Sequence, residues 1–292
     1  MVYLRQFILP SENAETRFVS GEGRTCFHTF YPFKIFTDKC LRTVDFDNIT
    51  LLYGGNGSGK STLLNVIARK ICATRFSSFN GSPFFDAFVD MCYGEFFRRP
   101  DKAFVLTSDD VFDYALTARS VNGDIDVKRE ELIEKYITTR NEVLNNPEKG
   151  RLKSLDDYER WSETREILSP RRTQSSYVKK RVVRDIDLYS NGQTAMRYFV
   201  DRVDGDGLYL LDEPENSLSI EYQEELCEYI LSTARATRSQ FIIATHSPLL
   251  LSLGGAKIYN LDECPARVRN WTELPNVRRY FDFFMKHRDE FG

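Results

Sequence analysis

Histidine and tryptophan are scarce in this sequence, with three and two copies among 292 residues, and no two cysteines form a CxxC pair. Six cysteines (Cys26, Cys40, Cys72, Cys92, Cys227 and Cys264) are scattered along the chain. They are too sparse for a disulfide scaffold and lack the paired spacing of a zinc site. The thiols are therefore expected to be reduced and mostly buried. Charge of one sign is missing too: 40 Lys and Arg stand against 43 Asp and Glu, a net −3. That balance gives no whole-chain attraction to nucleic acid or to an acidic membrane, so any such contact would need a local patch. No apolar run approaches the ~20 residues that span a bilayer. The opening MVYLRQFILPSENAE has neither the charged start nor the long apolar stretch of a secretory signal. The chain is expected to be soluble and cytoplasmic, with no membrane insertion.

With 41% apolar and 28% charged residues, there is enough material for a sizeable core. Short apolar stretches at Tyr31–Phe36 and Ile49–Tyr53 predict strands, as do AFVLT (Ala103–Thr107), LYLLD (Leu208–Asp212), FIIAT (Phe241–Thr245) and Ala256–Asn260. Helical spacing predicts helices after Ser61, across Leu132–Leu144, Tyr158–Leu168, Gln193–Val203 and Glu221–Arg235, and from Val277 onward. Residues 1–30 and Phe79–Phe97 give no clear pattern. Buried strands alternating with helices imply an α/β fold with a mostly parallel sheet. Between Val121 and Arg184, 27 of 64 residues are charged, which marks 121–184 as a charged helical insertion within one domain spanning 1–292.

The strongest local pattern is Gly54-Gly55-Asn56-Gly57-Ser58-Gly59-Lys60-Ser61-Thr62, which fits G-x-x-x-x-G-K-[ST] between a strand and a helix. Glycines let successive backbone N–H groups face a phosphate, and the following helix presents its positive end to the same charge. Lys60 is then placed for the β- and γ-phosphates, and the Ser61 hydroxyl for Mg2+. A second pattern, Leu208-Tyr209-Leu210-Leu211-Asp212-Glu213-Pro214, delivers two carboxylates to the carboxyl end of a buried strand. Asp212 is placed to hold magnesium through water, and Glu213 to orient or deprotonate an attacking water. Two weaker patterns accompany these. Tyr189-Ser190-Asn191-Gly192-Gln193 precedes a helix, and His246 follows the FIIAT strand ahead of Ser247-Pro248. Alone, the first reads as a turn and the second as a structural histidine.

In this order the four motifs resemble the ATP-binding-cassette (ABC) ATPase superfamily over roughly residues 30–260: Walker A GGNGSGKS, signature YSNGQ, Walker B LYLLDEP, switch histidine ATHSP. The resemblance implies a P-loop ATPase head in which two chains sandwich two ATP molecules with Mg2+. Each site would pair Lys60, Ser61, Asp212, Glu213 and His246 of one chain with Ser190, Asn191, Gly192 and Gln193 of the other. The signature departs from Leu-Ser-Gly-Gly-Gln at Tyr189 and Asn191, and Ser219 stands where transporter cassettes carry Asp. No glutamine follows AFVLT to contact magnesium. Asp109 or Asp110 could substitute, or could simply cap the next helix.

These departures resemble the stand-alone or SMC-like branch that includes DNA-repair and phage-defence (antiviral) ATPases. The resemblance implies an ATP-gated switch acting with a separate effector protein, a nuclease or toxin, or on DNA or RNA. The alternatives are the ATPase subunit of a transporter, or a non-hydrolysing module that dimerises on ATP. Six basic residues between Ile167 and Arg184 (Arg171, Arg172, Lys179, Lys180, Arg181 and Arg184) could meet nucleic-acid phosphates or face acidic neighbours. The tail with Arg278, Arg279, Tyr280 and Phe281 resembles a stacking surface loosely, while Phe283-Phe284 argues for packing.

Overall fold

Runs of apolar residues with no polar alternation make strands that must be covered on both faces, and three such runs form the centre of this protein. Strands β3 (Ile49–Tyr53), β6 (Gly207–Asp212) and β7 (Ser239–Thr245) are buried along essentially their whole length. The computed structural model describes residues 2–24, 26–27, 29–150, 158–169, 173–182 and 191–291. The chain divides into two compact units, Met1–Asp113 with Ser190–Gly292, and Tyr114–Tyr189.

The first unit opens with β1 (Leu4–Ile8), α1 (Glu12–Gly21), β2 (Thr43–Asp45) and β3, followed by α2 (Lys60–Ile71), α3 (Phe85–Met91), β4 (Tyr93–Phe96) and β5 (Ala103–Thr107). Helix α4 (Ser108–Asn145) starts directly after β5. The chain returns through α7 (Asn191–Arg202), β6, α8 (Ile220–Ala236), β7, α9 (Pro248–Leu251), β8 (Lys257–Asn260), β9 (Arg267–Arg269) and α10 (Pro275–Lys286). The main sheet has the order β5-β6-β7-β3-β8-β9, parallel except for β9. A smaller antiparallel sheet, β2-β1-β4, takes β1 and β4 from the two stretches that the sequence pattern left unassigned. Leu63, Leu64, Val66 and Ile67 of α2 share one core with Leu52, Val105, Leu208, Leu210 and Ile242 of the strands.

Strand register positions the site. Thr107 stands beside Asp212, Asp212 beside Ala244, and Tyr53 beside Thr245. The carboxyl ends of β5, β6, β7 and β3 therefore lie in one row, where ligands gather in open α/β sheets.

The second unit holds most of α4, with α5 (Tyr158–Leu168) and α6 (Gln174–Lys179). Tyr136, Ile167, Tyr177 and Val178 make its small core. Glu163 accepts from Lys135 Nζ at 2.8 Å and from the Tyr177 hydroxyl at 2.6 Å. Arg181 and Lys180 pair with Glu166 at 2.6 and 3.5 Å. Two of the six basic residues thus face acidic neighbours; Arg171, Arg172 and Arg184 lie outside the described residues.

Four expectations are corrected. Tyr31–Phe36 is not a strand but part of a run of turns through Cys40. Pro32 removes a backbone donor, Lys34 adopts φ 71°, and Phe33 and Phe36, three apart, turn the same way into the core. The buried carboxylate of Glu15 holds this segment, accepting from Lys34 N at 2.5 Å and Thr37 Oγ1 at 2.8 Å. Helix α4 begins at Ser108, well before the stripe at Leu132, where the helix-cap alternative at Asp109 or Asp110 places a start. The thiols are mostly exposed: Cys26, Cys40, Cys72 and Cys264 are, and Cys92 alone is buried. The Phe283-Phe284 pair does not pack inward; beyond Val277, Tyr280, Phe281, Phe283, Phe284 and Met285 are all exposed.

Candidate nucleotide site

The glycine-rich loop leaves the end of β3 and enters α2 at Lys60, with Gly57 and Gly59 at φ 78° and 92°, conformations that an L side chain strains to adopt. Lys60 is 4% exposed. Its Nζ donates to Gly54 O at 2.7 Å and Gly55 O at 3.2 Å and lies 3.4 Å from Glu213 Oε1. The ammonium is thus folded back into the loop, held by oxygens that a phosphate could replace. Ser58 Oγ is buried there with no hydrogen-bond partner. Asp262, after β8, accepts from Gly55 N with both carboxylate oxygens at 3.0 and 2.9 Å.

Ser61 Oγ donates to Asp212 Oδ1 at 2.9 Å, so the two hard oxygens expected of a magnesium site meet across 151 residues of sequence. Burial pushes the Asp212 carboxyl up to about 6; Glu213 adds to the rise, and the Ser61 hydrogen bond opposes it. An acid raised from 3.8 to about 6 on folding contributes stability below pH 3.8 that is lost as pH climbs through 6. The shift corresponds to about 3 kcal/mol. Asp212→Asn should therefore raise the melting temperature of metal-free protein at pH 7 and flatten its decline between pH 4 and 6.5. Thermal unfolding in chelator at several pH values checks this; an unchanged slope would place the strain elsewhere.

Glu213 has left-handed backbone angles, φ 47° and ψ 51°, costing roughly 1 kcal/mol or more for a non-glycine residue. Its N–H donates to Ala244 O at 2.9 Å, and Asn216 Nδ2 donates to its Oε2 at 3.0 Å. His246 Nδ1 lies 3.8 Å from Glu213 Oε1 and 3.4 Å from Glu215 Oε1. Glu215 was not singled out as a site residue in the sequence. It is 6% exposed, and its Oε1 accepts from Thr245 Oγ1 (2.7 Å), His246 N (2.8 Å) and Ser247 N (3.2 Å). Glu215→Ala would strip Thr245 Oγ1 and His246 N of this acceptor, leaving Ser247 N only its second bond to Thr245 Oγ1 at 3.0 Å, an expected loss of about 3 kcal/mol. Glu215→Gln, which keeps an acceptor, should recover most of it in thermal or denaturant unfolding.

A cavity of about 910 Å³ is bordered by Ser61, Thr62, Asp212 and Glu213, by Thr107–Asp109 after β5, and by Arg75 and residues 77–82. Asp109 borders it. Asp110 does not: its Oδ2 accepts from Thr107 N at 2.8 Å while Thr107 Oγ1 accepts from Asp110 N at 3.1 Å, a reciprocal helix cap. Arg75 donates to Asn65, and its burial depresses the guanidinium against the pull of Asp110 and Asp212. Neither Arg75 nor Asp262 carried a local sequence signal. Ser190 lies outside the described residues. Asn191, Gly192 and Gln193 form the first turn of α7, and a Cβ on Gly192 would come within 2.3 Å of the Tyr222 ring in α8.

A strand, a glycine loop and a helix stand with an acidic strand end beside them in a parallel sheet. The arrangement is that of a P-loop nucleotide site in an α/β fold. Residues 177–252 of the chain match the family described as "AAA domain, putative AbiEii toxin, Type IV TA system", a span that includes the sequences YSNGQ, LYLLDEP and ATHSP. No curated protein matches the chain. Among solved structures it is similar to an Smc head domain with an extended coiled coil bound to the C-terminal domain of ScpA, from Pyrococcus furiosus. There the identity is 14%, coverage is 99% of this chain and 100% of that one, and the TM-score is 0.42. A nucleotide-free ATP-binding cassette from an ABC transporter shows 14% identity over 96% and 99% of the two chains, with a TM-score of 0.39. Among the described residues no helix is long and apolar enough to cross a membrane. No cluster of three or more His, Cys, Asp or Glu among them could hold a metal, so a cation beside Ser61 and Asp212 would complete its shell with phosphate and water oxygens.

Proposed function

We propose that this protein binds Mg-ATP in the loop at Gly54–Thr62, hydrolyses it, and acts as an ATP-gated homodimeric switch on a separate effector protein or on DNA or RNA, in phage defence or DNA maintenance in the cytoplasm. The observation that carries this reading is the Ser61–Asp212 contact beside the folded-back Lys60 ammonium. Magnesium held by these two oxygens would supply positive charge at the β- and γ-phosphates. Lys60 exchanges the Gly54 and Gly55 carbonyls for phosphate oxygens. Glu213 accepts the proton of an attacking water, held in place by its N–H bond to Ala244 and by Asn216. His246, its backbone fixed by Glu215, reaches the γ-phosphate from the next strand. Asp109, at the edge of the cavity, takes the position left by the missing glutamine. Ser190, Asn191, Gly192 and Gln193 complete the site of a second copy.

Light scattering of Glu213→Gln tests the assembly. Mg-ATP should convert monomers of 34.0 kDa into dimers, and Ser190→Arg should abolish the change. A monomer in both conditions would overturn the homodimer, and an oligomer of unchanged mass would overturn gating of assembly by ATP.

A further inference from the structure

The phosphate loop is braced from outside at two points by segments far apart in sequence. At its start, Gly55 N–H is held by Asp262. Near its end, a Cβ on Gly59 would lie 3.0 Å from Ile35 Cγ2 and 3.5 Å from Phe36 Cε1, so the 31–41 turns pack directly against it. The two bracing segments also touch each other. Lys39 Nζ donates to Leu261 O at 2.6 Å, and Ala266 N donates to Lys39 O at 3.1 Å. Between these two bonds the Cys40 and Cys264 sulfurs lie 3.7 Å apart, both exposed. Cys264 is anchored at 3.3 Å from the Asp38 carbonyl.

We propose that Cys40 and Cys264 are a redox-sensitive pair whose disulfide fastens together the two segments that brace the phosphate loop. An S–S bond of about 2.05 Å leaves roughly 1.6 Å to close, and the flanking hydrogen bonds already hold the partners in register. The oxidant class is a hydroperoxide. One thiolate attacks a peroxide oxygen, the O–O bond breaks, and sulfenic acid forms; the second thiol displaces water from it. Two thiols and one hydrogen peroxide give one disulfide and two waters, the two electrons passing from sulfur to the peroxide. Cys26, Cys72, Cys92 and Cys227 are not placed within hydrogen-bond reach of another sulfur.

The full chain is treated with hydrogen peroxide, remaining thiols are blocked, and tryptic peptides are mapped by mass spectrometry. The expected product joins Cys40–Arg42 to Ile258–Arg267 and is released by dithiothreitol. Backbone amide exchange across residues 54–61, measured without nucleotide, should slow about fivefold or more on oxidation, and should not change in Cys40→Ser or Cys264→Ser. No such link, or linkage through Cys26 or Cys72 instead, overturns the pair. A link that leaves exchange at 54–61 unchanged overturns the bracing. Neither readout requires ATP turnover, so the failure of this inference is distinct from failure of the catalytic reading.

Discussion

Glu213→Gln should lower steady-state ATP turnover by roughly 10²–10⁴-fold, the usual contribution of a positioned general base, while leaving Mg-ATP binding nearly intact. The carboxylate sits at the end of a buried strand, with one oxygen 3.4 Å from Lys60 Nζ and the other bonded to Asn216. Gln keeps the length, the shape and an acceptor for Asn216, and it leaves the strained backbone to the same neighbours. What it loses is the ability to take a proton. Turnover measured alongside a nucleotide titration separates the two effects. Full turnover in the variant would assign water activation to another group, and weakened binding would assign Glu213 to the ground state instead.

Lys60→Ala should weaken ATP binding by about 10²-fold, equivalent to about 3 kcal/mol, in line with losing charge-assisted hydrogen bonds in a buried site. Without nucleotide the ammonium neutralises an enclosure that also holds Asp212 and Glu213, and it occupies the Gly54 and Gly55 carbonyls. Its removal therefore has a second cost: Glu213 loses the cation 3.4 Å from its Oε1. Lys60→Met retains most of the stem volume and separates packing from charge. Calorimetric titration of both variants with Mg-ATP is decisive, since near-native affinity in both would dissociate this loop from the phosphate.

The parts of this site that are legible in the sequence are contiguous in it. Gly54–Thr62 carries its own backbone geometry, and LYLLDEP brings its carboxylates with the strand that delivers them. Glu215 is different. Its three donors come from Thr245, His246 and Ser247, thirty residues downstream, and nothing short of the β6–β7 register brings them together. Asp262 at Gly55 and the Cys40–Cys264 pair depend on tertiary placement in the same way. At Tyr31–Phe36, aromatic content suggested a strand, but the spacing of Phe33 and Phe36 by three was the better guide, and Pro32 forbids a regular ladder. At Asp110 the capping alternative describes what is seen, because the Thr107 hydroxyl and the Asp110 carboxylate satisfy each other's backbone N–H.

The alignment of Thr107, Asp212, Thr245 and Tyr53 along one sheet edge also has a thermodynamic consequence. These residues come from four strands spread between Ile49 and Thr245, so an unfolded chain offers nucleotide no comparable surface. A ligand that bridges the row is linked to the folding equilibrium of the whole sheet, adding about 2.7 kcal/mol at a hundred times its dissociation constant. For this chain, resistance to unfolding and nucleotide occupancy are then two readings of one equilibrium.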